Sequence, residues 1–74
     1  MNNGEVDALI TEIVVDLKDS GYDPYEQLTE YVKTGSSAYI IRRDNARTKT
    51  ELLGRDYIRS RMRMIKEITS SLTV

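Results

Sequence analysis

Apolar side chains fall on one face of a helix near both ends of this sequence. Val6, Ile10, Ile13, Val14 and Leu17 follow steps of four, three, one and three. Ile58, Met62, Ile65, Ile68 and Leu72 follow steps of four, three, three and four. A helix turns every 3.6 residues, so each set forms a stripe that has to be buried against something. The pattern predicts a first helix over about 5–19, with Glu12, Asp16 and Asp19 largely opposite its stripe. It predicts a last helix from Arg55 or Asp56 to Leu72. The β-branched pair Val14-Val15 weakens helix propensity slightly without outweighing the period.

Between the stripes the sequence is punctuated. Ser20-Gly21 ends the first helix, because glycine takes the left-handed conformation that terminates one. Asp23, Pro24 and Glu26 then supply an N-cap acceptor, a proline at the first helical position and an acid at the third. The second helix carries Tyr25, Leu28, Tyr31 and Val32 on one face and stops at Thr34-Gly35. At about ten residues it is too short to stand alone and has to pack. Residues 36–43, with the apolar run Ala38-Tyr39-Ile40-Ile41, read as an extended, buried connector, or as a strand paired across a dimer. Asp44 or Asn45 can cap a third helix running to Gly54, which is either a true break or a weak point in one long helix. Residues 70–74 are expected to fray. The fold class expected is all-α: a compact bundle of about four short helices in a single domain, 1–74.

Size limits what such a bundle can do unaided. A chain of 74 residues buries only about 60% of the surface it exposes when unfolded. Its own core supplies roughly 3–5 kcal/mol. There is no cysteine, hence no disulfide or thiolate metal site, and no histidine, the commonest transition-metal ligand and general base. A partner subunit is the remaining device, so homodimerisation is expected to complete the fold. No cofactor or metal is expected. No apolar run approaches the ~20 residues of a membrane helix. Residues 1–5 carry neither a basic start nor a signal core, so a cytoplasmic protein is expected.

Charge is distributed unevenly. Residues 1–37 hold eight acids and two bases, and residues 38–74 hold nine bases and four acids. The halves can attract each other, within one chain or across a dimer, or the basic half can meet an acidic partner. Arg55, Arg59, Arg63 and Lys66 step by four, four and three along the last helix, with Arg42, Arg43 and Arg47 preceding them. Arginine suits planar, bidentate contact with carboxylate or phosphate. These seven are the candidate partner-binding residues. The readings open for them are a solvated face, an acidic protein surface and a nucleic-acid backbone, although a pI of about 5.3 weighs against the last. Five tyrosines supply every aromatic ring, either to the core or to a subunit interface. No serine or threonine has a histidine to activate it, and the paired acids sit on solvated helix faces, so no enzyme is expected.

The central segment resembles the IreB family of small regulatory phosphoproteins from Gram-positive bacteria. The resemblance rests on Gly21-Tyr22-Asp23-Pro24, Gln27, Tyr31, Thr34-Gly35, Ala38-Tyr39-Ile40, Arg42, Ala46-Arg47, Leu53 and Arg55-Asp56, matched without a gap. It implies a helical homodimer acting in the cytoplasm by protein–protein contact, as a negative regulator in cell-envelope stress signalling linked to a Ser/Thr kinase. It places the shared functional or structural centre at Tyr39, Arg42, Arg47 and Arg55. The alternative is a small nucleic-acid-binding module using the basic last helix. The family's phosphorylated threonines precede the first helix. Residues 1–10 here contain no serine or threonine and the first is Thr11, so no phosphosite carries over. Ile41 stands where the family has proline, and Gly54 where it has a good helix former.

Overall fold

Two different chain stops place the first two helices. The computed structural model describes residues 3–40 and 45–72. Its helices are α1 (Asn3–Asp19), α2 (Pro24–Thr34), α3 (Ala46–Leu53), α4 (Arg55–Ser60) and α5 (Met62–Leu72), with a 3-10 turn at Ser37–Tyr39. After α1, the Gly21 N–H donates to the Lys18 carbonyl (3.0 Å) and the Tyr22 N–H to the Leu17 carbonyl (3.1 Å). That is the paired bonding of a Schellman stop, and Gly21 supplies its left-handed residue at φ +87°. Asp23 then sits in extended conformation, and its carboxylate accepts the Glu26 N–H at 3.2 Å. Pro24 follows, buried at the first helical position, as the sequence predicts.

α1 is the centre of the molecule. It packs against α2, α3 and α5, while α2 also lies along α4 and α5. The core collects Ile10, Ile13, Val14 and Leu17 from α1, and Leu28 and Tyr31 from α2. Ile40, Ala46, Ile58 and Ile65 come from the rest of the chain. Each isoleucine or leucine buried completely contributes about 1.5–3 kcal/mol relative to exposure. Two threonines share this interior without leaving a polar group unmet. The Thr50 and Thr69 hydroxyls donate to the Ala46 and Ile65 carbonyls, both at 2.8 Å, four residues back in their own helices.

The second half corrects several expectations. Residues 36–40 are not an extended connector throughout. Ser36 accepts the Ala38 N–H on its hydroxyl (3.2 Å) and starts the 3-10 turn, after which Ile40 is extended and buried. No strand occurs among the described residues. Residues 41–44, and with them Arg42, Arg43 and Asp44, lie outside the described residues. Asn45 precedes α3 but makes no side-chain capping bond, because it stands at φ +66°, not in the extended conformation a cap needs. Gly54 is a true break, at φ +88° and ψ 156°.

The last helix is two helices. The backbone bends at Arg61 (φ −109°, ψ 9°), and Ser60 stands beside the bend. Its hydroxyl donates to the Tyr57 carbonyl at 2.6 Å, the acceptor that the Arg61 N–H would take in an unbroken helix. The Arg61 N–H turns instead to the Ile58 carbonyl at 3.0 Å. Ile58 and Ile65 of the predicted stripe are buried, Met62 and Ile68 pack at the edge of the core, and Leu72 is exposed where α5 runs past it.

Candidate functional site

The described arginines among the candidate partner-binding residues divide into two kinds. Arg47 and Arg55 are spent on the chain's own carbonyls. Arg47 donates from Nε to the Ile40 carbonyl (2.8 Å) and from Nη2 to the Ala38 carbonyl (3.2 Å), tying α3 to the 3-10 turn. Arg55 does the same for the end of α2. Gly35, left-handed at φ +73°, closes that helix with one bond from its N–H to the Tyr31 carbonyl (2.8 Å). A single-bond stop leaves the next carbonyls open. Arg55 takes both, Val32 with Nε (2.7 Å) and Lys33 with Nη2 (3.2 Å). Its positive charge also faces the negative end of the helix dipole. A Cβ on Gly35 would come within 3.2 Å of the Arg55 guanidinium, so the glycine gives the arginine its approach.

Arg59, Arg63 and Lys66 face outward. Because the helix bends at Arg61, Arg55, Arg59, Arg63 and Lys66 do not form the single straight stripe their spacing suggests. The Arg59 side chain is 56% exposed and pairs with Asp56 at 3.6 Å; Arg63 is 93% exposed and pairs with Glu67 at 3.9 Å. Pairs this open are worth about 0–1 kcal/mol, so both guanidiniums are readily released to a partner. Lys66 lies over the Tyr25 ring, 5.9 Å from its centre, at the distance limit for a cation–π contact.

Two long-range ties, centred on Asp7, Lys49 and Arg61, join distant parts of the chain. Arg61 Nε donates to Asp7 Oδ1 and to the Tyr57 hydroxyl oxygen, both at 3.2 Å. The Tyr57 hydroxyl donates to the same Asp7 oxygen at 3.3 Å, and the guanidinium lies 4.9 Å over the Tyr57 ring. The Tyr57 hydroxyl, and after it Asp7, raise the Arg61 pKa above its ordinary value, so the group stays charged. Lys49 of α3 reaches Asp16 (3.2 Å) and Glu12 (3.9 Å) on α1. These pairs join the acidic and basic halves within one chain. Nothing local in the sequence marks them, since 54 residues separate Asp7 from Arg61.

Only some of the other motif residues serve the same framework. Ala46 is buried, Leu53 packs against the core and Ala38 lends its carbonyl to Arg47. Tyr22 is exposed, and Asp56 projects into solvent toward Arg59. Gln27 Oε1 and Thr29 Oγ1 are buried side-chain oxygens of α2 without a hydrogen-bond partner. The structure describes the backbone of Tyr39 as the end of the 3-10 turn. Thr11, inside α1, donates its hydroxyl to the Asp7 carbonyl at 3.2 Å.

No group of carboxylates among the described residues is arranged to hold a metal ion. No helix among them is long and apolar enough to cross a membrane. No solved structure matches the chain significantly. Its sequence matches the family described as IreB regulatory phosphoprotein over residues 1–70, a span that takes in both the carbonyl-holding arginines and the outward basic face. The chain therefore belongs to the IreB family of regulatory phosphoproteins.

Proposed function

We propose that this protein is a non-enzymatic cytoplasmic regulator that works as a homodimer through protein–protein contact, within a Ser/Thr-kinase-linked response to cell-envelope stress. The observation that carries the reading is membership of a regulatory phosphoprotein family across nearly the whole chain. The division of the arginines supports it. Arg47 and Arg55 are committed to the fold, which leaves Arg59, Arg63 and Lys66 on α4 and α5 as the contact surface. Arg59 and Arg63 already rest on carboxylates of Asp56 and Glu67, the chemistry an acidic protein surface would replace. The pI of about 5.3 favours a protein partner over a nucleic-acid backbone.

The test is phosphate transfer from the host's membrane Ser/Thr kinase to the full chain, with the modified residue mapped by mass spectrometry. A stoichiometric site is expected on an exposed hydroxyl, with Thr11 and Ser71 among those available. No incorporation, beside a control substrate that is modified, would remove the kinase from the account. Sedimentation of the same sample at micromolar concentration checks the dimer separately, and a monomer there would remove it.

A further inference from the structure

Sequence pattern and structure disagree most sharply at Arg61. The apolar stripe through Ile58, Met62 and Ile65 and the basic series through Arg59, Arg63 and Lys66 both cross it at unbroken helical spacing. The backbone nevertheless leaves the helix there and resumes it at once, with the Ile65 N–H on the Arg61 carbonyl at 2.9 Å. Straightening the joint moves the Arg61 N–H from the Ile58 to the Tyr57 carbonyl and lets the next three N–H groups take the carbonyls of residues 58–60. The Ser60 hydroxyl gives up the Tyr57 carbonyl, the Arg61 N–H takes it, and the hydroxyl turns to water. Ser60 is exposed, so its hydroxyl keeps a hydrogen bond in either arrangement. What favours the bent form is the burial of Ile58 and Ile65 on either side of the joint, together with the tie to α1, in which Asp7 holds Arg61 and Tyr57.

The geometry points to a two-position hinge at Arg61, latched in its bent form by Asp7 of α1 and Ser60. With the latch released, α4 and α5 form one helix over 55–72. Arg55, Arg59, Arg63 and Lys66 then fall on one continuous face, as their steps of four, four and three require. With the latch closed, the bend divides that face. The first turns of α1 thereby control how the basic surface is presented, a small rearrangement at a packed joint with a larger effect beyond it.

The chain has no native cysteine, so Asp56→Cys with Ser71→Cys gives a unique spin-label pair spanning the joint at two exposed positions. In one straight helix their Cα atoms stand about 22 Å apart, and the bend shortens that distance. The parent pair is expected to give a single short-distance distribution. Adding Asp7→Asn or Ser60→Ala should bring up a second, longer peak near the straight-helix spacing, and both together should enlarge it. Retained helical circular dichroism and a cooperative melt certify each variant as folded. Ser60 is outside the core, so Ser60→Ala decides the matter even where Asp7→Asn fails to fold. A parental distance distribution in folded Ser60→Ala, and in every other variant that folds, would overturn the hinge.

Discussion

The N-terminal helices and the C-terminal helices of this protein are positioned by different means. α1 and α2 are stopped and started by neighbours in sequence: Gly21 with its two backbone bonds, Asp23 with Pro24, and Gly35. From α3 onward the helices are fixed largely by side chains arriving from elsewhere. Lys49 crosses to α1, Arg55 crosses 23 residues to the end of α2, and Arg61 crosses 54 residues to Asp7. Even in the first half, the stop after α2 is completed from the second. A domain this small thus uses long polar side chains to tie its later helices to a framework that local chemistry has already set.

The largest expected effects ask whether the two regions nevertheless melt as one. Ile13→Ala in α1 and Ile65→Ala in α5 each empty a fully buried position in the same core. Each should cost about 2–5 kcal/mol, a large part of what a domain of this size possesses. Urea unfolding followed by circular dichroism should show one transition in both variants. Two separable transitions would mean the halves are independent.

Gly54 is the clearest locally coded break in the second half, and its backbone lies in a region essentially confined to glycine. Gly54→Ala should destabilise by about 1–3 kcal/mol although a new Cβ would meet no atom within 4 Å. Equal or greater stability in a urea melt would show that the break is not needed and that α3 can run on into α4. In the first half, Asp23→Ala removes a local cap and should cost about 1 kcal/mol, read the same way. Lys49→Met tests a long-range tie. Its side chain is only partly exposed, yet the loss should be no more than about 1 kcal/mol, since methionine keeps most of the packing. A larger loss in that variant than in Asp23→Ala would put the weight of the fold on ion pairs.

The same contrast explains what could be read from the sequence. The apolar period and the Gly, Pro and Asp punctuation gave α1 and α2 to within a residue or two, because the forces that set them act within a few residues. α3 is legible for the same reason, whereas Gly54 reads from the sequence as either a true break or a weak point in one long helix. The bend at Arg61 was not, since the apolar and basic periods run straight through it. Ser60 was the available sign, a hydroxyl inside a helix able to compete for a backbone carbonyl. For the candidate site, the sequence picked out Arg47 and Arg55 from the family motif without revealing their partners. Their hydrogen bonds go to carbonyls, which carry no mark in a sequence. Asp7, Lys49 and Arg61 escaped notice because only the packed fold brings them to their partners.

The division of the arginines is the centre of this account, and a matched pair of double variants tests it most directly. Arg47→Ala with Arg55→Ala removes four hydrogen bonds to backbone carbonyls, two of them at the end of α2. Arg59→Ala with Arg63→Ala removes two open surface ion pairs. Both lose the same charge, so urea unfolding at one ionic strength compares them fairly. The first double variant should be destabilised by about 2–4 kcal/mol, discounting charged hydrogen bonds for their exposure. The second should stay within roughly 0.5 kcal/mol of the parent, as a surface change away from the core does. Equal losses, or a larger loss from Arg59 and Arg63, would contradict the assignment of the motif arginines to the fold and of the α4–α5 face to a partner.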